Sequence, residues 1–362
     1  MTATHRAIVR DGATCVLATR PTPVPGRGEI AVAPERVSLC GTDIQILRRD
    51  RDDPAAVVGH EGAARVAAVG DGVEGFAVGD RVVVNPTHPH DPAFLLGHNV
   101  EGLFQERVVI GASAVSGGLV GLLPPQLSPE RATLVEPFAV VRYALSCLAA
   151  ATPDTLVVYG DGLIGNLAAL LAPHFLGPGV RVTVVHRGEP GFDWTAKHVP
   201  GVVNVLAAED DTAAGERVAA LVATHRPGTI AAIEAALTGY GSRLVALHPL
   251  GGLASDARSA LLPGIDLPGV RQANTGGPWP PVSVTYTGRG HRLTLTGNRG
   301  VTTAALTAAA ETLSAWPDSI DVLLSHVVGM SEGVRYINEI ITTGTRIVDG
   351  ELVLRLVVNP SS

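Results

Sequence analysis

Val157-Val158-Tyr159-Gly160-Asp161-Gly162-Leu163-Ile164-Gly165 decides the fold of this chain: an apolar, β-favouring run enters G-x-G-x-x-G and a helical pattern follows. Gly160 ends the strand, and Gly162 would let the backbone approach a pyrophosphate. Gly165 would let the next helix, read over 166–171, pack closely with its N-terminus towards the phosphates. Leu163 and Ile164 complete the turn. Glycine supplies 42 of 362 residues, so the spacing alone is also met in plain tight turns, and context has to carry the dinucleotide reading. That context is a run of alternations. The β-like stretches Leu156 to Tyr159, Val180 to Val185, Val202 to Leu206, Ile230 to Ile233 and Leu244 to Leu247 alternate with alanine-rich helical stretches. Strand-helix alternation predicts an α/β domain: a doubly wound parallel sheet with helices on both faces.

The first third has a different texture. Short β-favouring runs at 29–33, 63–69 and 80–84 are separated by Gly- and Pro-rich turns, the densest being 70–80, which points to a small β-barrel module. From Ser128 the period becomes helical, with Pro129 at the first helical position and apolar spacing through Glu136-Pro137 to Leu148. Two helical patterns at 302–314 and 331–342 and a final apolar strand at 352–358 close the chain. Leu293-Thr294-Leu295-Thr296 looks like an edge strand. The expected organisation is a first domain over 1–150, to which 298–362 returns, and a dinucleotide-binding domain over 151–297.

Chemistry is concentrated in the first domain. Cys40-Gly41-Thr42-Asp43, then Gly59-His60-Glu61-Gly62, then Leu134-Val135-Glu136-Pro137, supply a thiol, an imidazole, carboxylates and a hydroxyl beside the thiol. Three protein ligands and an open fourth position define a catalytic zinc, and such an ion lowers the pKa of a bound alcohol. Singly, each of these residues is more often structural; together they point to a site.

Composition bounds the alternatives. A net charge of −7 without a Lys/Arg run offers neither phosphate neutralisation nor a polybasic anchor, so neither nucleic acid nor membrane is an expected partner. Three widely spaced cysteines, Cys15, Cys40 and Cys147, suggest no disulfide framework. The first residues lack a signal-peptide core, and no stretch of about 18 apolar residues occurs. A cytoplasmic protein acting on a small molecule is expected.

The quoted motifs, in this order, resemble the zinc-dependent branch of the medium-chain dehydrogenase/reductase superfamily. The Glu136-Pro137 form is most similar to its polyol and threonine dehydrogenases. The resemblance implies a GroES-like β-barrel catalytic domain joined to a Rossmann domain. It implies Cys40 and His60 as zinc ligands with Glu61 or Glu136 as the exchangeable carboxylate, Thr42 as the hydroxyl that takes the substrate proton, and Asp43 as the carboxylate that holds the ligand histidine. The plainer reading of Asp43 is a turn-capping aspartate. The four cysteines of the family's structural zinc are missing: 85–99 holds His88, His90 and His98 among prolines, which reads as a solvent-facing or substrate-bordering loop. No histidine stands at Gln45 or Arg48 to pass a proton onward.

The strand ending at His186-Arg187-Gly188 lacks the acid that usually binds the NAD ribose. Arg187 could pair with a 2′-phosphate and His186 could sit against the adenine, so NADP is expected over NAD, although Glu189 could reach back to a ribose if the loop folds that way and Arg187 also reads as a solvated loop charge. Arg299 resembles a polyol dehydrogenase arginine that faces substrate hydroxyls, and otherwise is a surface turn residue. The implied activity is hydride transfer between a polyol, cyclitol or amino-polyol alcohol, or its ketone, and NAD(P), in a homodimer or homotetramer. The alternatives are a zinc-free alkene or quinone reductase of the same fold and a catalytically silent nucleotide binder.

Overall fold

The structure, a computed structural model, describes residues 3–207, 215–288 and 290–362. It divides into two compact units, Met1–Ala139 with Thr302–Ser362, and Val140–Val301. In the first unit a hairpin, β1 (Thr4–Asp11) and β2 (Thr14–Pro21), precedes β3 (Ile30–Ser38), α1 (Gly41–Leu47), β4 (Glu61–Val69) and β5 (Arg81–Val84). Then come β6 (Val108–Ile110), α2 (Ala112–Ser116), β7 (Val120–Leu122) and α3 (Pro129–Ala132). Buried aliphatic residues of these strands, among them Val32, Val37, Val66 and Val82, form one core with Phe104 and Leu103.

Ser128 does cap a helix, accepting a hydrogen bond from the Arg131 N–H at 3.1 Å. The single helix expected to reach Leu148 is nevertheless two. The first stops at Ala132, and α4 begins at Val135 and ends at Ala149. Pro137 explains the break. It has no N–H to give the carbonyl four residues back, which is that of Thr133, so a continuous helix would leave that acceptor unpaired.

In the second unit β8 (Thr155–Tyr159), α5 (Leu163–Leu176), β9 (Arg181–His186), α6 (Glu189–His198) and β10 (Val203–Leu206) make one half of a parallel sheet. The other half holds β11 (Val218–Val222), α7 (Thr229–Tyr240), β12 (Leu244–Pro249), α8 (Leu267–Gln272), β13 (Val284–Gly288) and β14 (His291–Leu295). The strand order among the described residues is β10-β9-β8-β11-β12-β14-β13, parallel except for the last pair. The order reverses between β8 and β11, where a parallel sheet of this kind binds its ligand beyond the strand ends.

Two expectations fail here. Ile230 to Ile233 lies in α7, not in a strand; Thr229, Ala232, Ile233, Ala236, Leu237 and Tyr240 recur at three- and four-residue intervals on its buried face. The strand is Val218–Val222, buried on both faces, so its apolar run shows no alternation. Leu293–Thr296 is not an edge either, because β14 lies between β12 and β13 and β13 is the outer strand.

Near the end of β12, His248 is fully buried with Nδ1 2.8 Å from Thr296 Oγ1 and Nε2 2.9 Å from Asn298 Oδ1. Burial pushes its pKa down to about 4, below the ordinary histidine value. The unfolded chain therefore takes up a proton from pH 6.5 downwards that the folded chain refuses until about pH 4, so stability falls as pH falls through that window. The loss at pH 5 is about 2 kcal/mol for this group. Denaturant titrations at pH 7 and pH 5 should show it, and His248→Gln should remove that increment; an unchanged pH slope in the variant would contradict the assignment.

The chain returns to the first unit through α9 (Thr303–Ser314), β15 (His326–Gly329), α10 (Met330–Thr343), β16 (Ile347–Val348), β17 (Glu351–Leu352) and β18 (Leu356–Asn359). The final strand is interrupted at 353–355 instead of running from 352 to 358. β18 pairs with β15 and with β3, in the sheet order β15-β18-β3-β4-β5-β7. No helix among the described residues is long and apolar enough to cross a membrane.

Candidate functional site

β3 and β18 run antiparallel, and the turns at their ends gather the polar residues of the first unit. Cys40 is the N-cap of α1, in extended conformation with φ −84° and ψ 157°. Asp43, in the first turn of that helix, accepts the Cys40 N–H at 2.9 Å and the Gly59 N–H at 3.0 Å. One fully buried carboxylate thus ties the Cys40 turn to the His60 turn, and the capping role and the histidine-holding role coincide in it. His60 Nδ1 lies 3.3 Å from Asp43 Oδ1. The ring's other nitrogen, Nε2, faces Glu61 Oε1 at 4.0 Å.

Ligand atoms of Cys40, His60 and Glu61 all fall within 4.8 Å of one another. Thr42 Oγ1 is 3.8 Å from the Cys40 sulfur. Glu136, in the first turn of α4, does not belong to this trio. Burial, and then the Glu61 charge, push its carboxyl up to about 7.

The trio is held by residues the sequence motifs do not include. Arg355 is 1% exposed, and its Nη2 pairs with Glu61 Oε2 at 2.8 Å while donating to the Thr133 carbonyl. That carbonyl is the one Pro137 leaves without a helical donor, so the helix break and the buried guanidinium satisfy each other. Ser38 donates to the same Glu61 oxygen at 3.2 Å, which leaves Oε1 on the side of His60.

Burial and the Glu61 charge hold the Cys40 thiol above its usual range. Burial opposes protonation of His60, yet the charges of Asp43 and Cys40 outweigh it and hold the imidazole well above its ordinary value. Two guanidiniums face the same group, Arg355 paired with Glu61 and Arg346 in the field of Cys40 and Glu61, so the fit to a cation rests on the donor atoms and not on a charge deficit. The donor set of one sulfur, one nitrogen and one oxygen fits zinc, with a carboxylate oriented behind the histidine.

Of the two readings of the histidine loop, His98 does not face solvent. It is buried, its ring centroid 5.3 Å from that of His60, with Nδ1 3.4 Å from Asp53 Oδ1. His90 is exposed and His88 half-buried, its Nδ1 accepting the Asp91 N–H at 2.9 Å. The turn at 95–100, with Gly97 at φ +74° and the His98 N–H bonded to the Leu95 carbonyl at 3.1 Å, sends the third histidine inwards.

In the second unit the turn after β8 fits a pyrophosphate. Gly160 has φ +111°, in the region that favours glycine. A Cβ on Gly165 would overlap the Gly160 carbonyl oxygen, whereas one on Gly162, the N-cap of α5, would meet nothing within 4 Å. The helix start is therefore both tightly packed below and open above. α5 begins at Leu163, three residues earlier than expected, and includes Ile164.

The strand-end residues are distributed differently from expectation. His186 is fully buried, with Nδ1 3.1 Å from Asp161 Oδ2, Nε2 2.7 Å from Asn204 Oδ1 and its ring against Phe192. Held on every side by protein, it is not placed to sit against an adenine. Arg187 is exposed, and its charge, after burial, lowers the pKa of His225. Arg299 is exposed in the turn after β14, its carbonyl accepting the Gly276 N–H at 2.8 Å.

Residues 26–117 match the alcohol dehydrogenase GroES-like domain. A sorbitol dehydrogenase of Bombyx mori is 28% identical over 187 residues, 48% of this chain and 54% of that protein. An L-threonine 3-dehydrogenase of Stenotrophomonas maltophilia is 30% identical over 205 residues, 51% of this chain and 58% of that protein. The chain spans about half the length of the curated relatives it matches. A solved structure called a short chain alcohol dehydrogenase, from E. coli CFT073 and complexed with NADH, aligns over 99% of both chains with a TM-score of 0.72 at 18% identity, which fixes the fold.

Proposed function

We propose that this chain is a zinc-type medium-chain dehydrogenase/reductase of the polyol and threonine branch and that it interconverts a secondary alcohol of a polyol, cyclitol or amino-polyol with its ketone, using a nicotinamide dinucleotide. The observation that carries this is the convergence of Cys40, His60 and Glu61 within 4.8 Å beside the Thr42 hydroxyl. Cys40 Sγ, a His60 ring nitrogen and Glu61 would hold zinc, which when bound lowers the pKa of an alcohol. Gly160 to Gly165 would hold the dinucleotide, which supplies a hydride acceptor.

The chain's own side chains have separate tasks. Thr42 Oγ1 accepts the alcohol proton as its own hydroxyl proton passes to water, so the hydroxyl relays the proton and stays neutral. Asp43 keeps His60 in orientation and makes it more basic. Arg355 and Ser38 hold Glu61 by Oε2 and leave Oε1 for the ion. Glu61 therefore fits the carboxylate role better than Glu136 does. Of the two cofactors, NADP has the exposed Arg187 in its favour, a partner for a 2′-phosphate.

Thr42→Val tests the proton path. The variant should keep its metal and lose about a hundred- to a thousandfold in kcat on a panel of polyols and aminocyclitols, in line with loss of a positioned proton acceptor. Full turnover by the variant, or no turnover of any secondary alcohol by the metal- and cofactor-loaded protein, would contradict the proposal.

A further inference from the structure

We propose that Asp161, the second residue of the fingerprint turn, takes the place of the missing ribose acid and makes the chain select NAD over NADP. The proposal rests on the dinucleotide reading of this turn and reverses the NADP preference drawn from Arg187. In sheets of this type, a carboxylate at the end of the strand after the fingerprint accepts the adenosine ribose hydroxyl. Here that strand is β9, and it ends in His186, which is buried and offers no acid. The Asp161 carboxylate comes to the same strand end from the neighbouring turn, with Oδ2 3.1 Å from His186 Nδ1.

Three contacts fix it there. His186 is braced from behind by Asn204 of β10 at 2.7 Å. Asn166 donates to the Asp161 carbonyl at 2.7 Å, holding the turn itself. Gly191, in the first turn of α6, lies so near that a Cβ there would overlap the carboxylate, so helix, strand and turn close around one side chain.

The carboxylate is not sealed in, since the Asp161 side chain keeps 26% of its exposure. It can accept a 2′-hydroxyl. It repels a 2′-phosphate placed at the same strand end, and in a partly desolvated pocket that repulsion is weakly screened. Arg187 is an exposed side chain on a following loop, and an exposed charge contributes less than a held one.

The test is direct binding of NADH and NADPH to the full chain, followed by nicotinamide fluorescence, with Asp161→Asn and Arg187→Gln beside the unaltered protein. Asparagine keeps the shape and an oxygen for His186 but removes the charge. The unaltered protein should bind NADH at least about tenfold tighter than NADPH, and Asp161→Asn should shift that ratio about tenfold or more towards NADPH. Arg187→Gln should leave NADH affinity within about twofold. A preference for NADPH in the unaltered protein, or equal weakening of both cofactors in Asp161→Asn, would overturn the proposal, the latter being what a purely structural role predicts. Binding of neither cofactor would overturn it together with the dinucleotide reading. Selective NADH binding without turnover would uphold it and count against the dehydrogenase reading alone.

Discussion

Cys40→Ala is expected to strip the metal and to lower kcat by roughly a thousandfold or more, because the chemistry asked of a Lewis acid amounts to several kcal/mol of barrier. The thiol is one of three ligand groups, and two ligands do not hold a zinc ion against water and competing chelators. Folding should survive. Cys40 is half-buried, its backbone N–H still bonds to Asp43, and the core beneath it is aliphatic. Circular dichroism and the melting temperature should therefore stay close to those of the metal-free parent. Cys147→Ala is the control: this thiol is buried in the second unit, pushed up to about 11 by burial, and should keep both metal and activity. Equal losses in the two variants would mean that Cys40 acts through stability and not through a metal.

Gly165→Val should lower NADH affinity by about a hundredfold or more and lower stability as well, since the obstacle is backbone and cannot swing aside. Its Cβ would overlap the Gly160 carbonyl and would also touch Val158 Cγ1 at 3.4 Å, so either the turn or the start of α5 must move. Gly162→Ala separates packing from binding. A Cβ there meets nothing in the protein, so the melting temperature should hold while NADH binding weakens, because that open position is where a pyrophosphate would approach the helix. Calorimetry on both variants gives the two readouts. If Gly162→Ala binds NADH as tightly as the parent, the phosphates do not lie on this helix terminus.

Much of the fold was legible because the chain declares its period locally. The fingerprint turn, Ser128 as a cap and the β-branched runs each specify a conformation through a few neighbouring residues. The failures share a cause as well. Val218–Val222 is buried on both faces and shows no alternation, whereas Ile230 and Ile233 lend a β-branched look to what is a helix stripe, so propensity pointed one way and burial the other. That β14 is interior and β13 is the edge depends on long-range pairing, which no short window contains.

The site divides in the same manner. Cys40, Thr42, Asp43, His60 and Glu61 lie in two short motifs, and the structure brings them to one place. Arg355 left a signal that was available: a lone guanidinium in Leu352-Val353-Leu354-Arg355-Leu356-Val357-Val358 needs a buried partner. Its identity as Glu61 needed the pairing of β18 with β3. The missing N–H of Pro137 was a local signal that the reading of one helix through to Leu148 passed over, and the use of the Thr133 carbonyl by Arg355 depends on the fold. The side chain of Asp161 could have pointed anywhere from sequence alone, and only the packing of α6 against the turn sends it to His186.

The most direct measurement is elemental analysis of the purified chain against protein concentration, repeated after dialysis with a chelator and after adding zinc back, with turnover followed in the same samples. The account predicts about one zinc per chain, activity that falls in step with metal removal, and recovery on adding zinc back. A metal-free chain that turns over alcohols at full rate would contradict it.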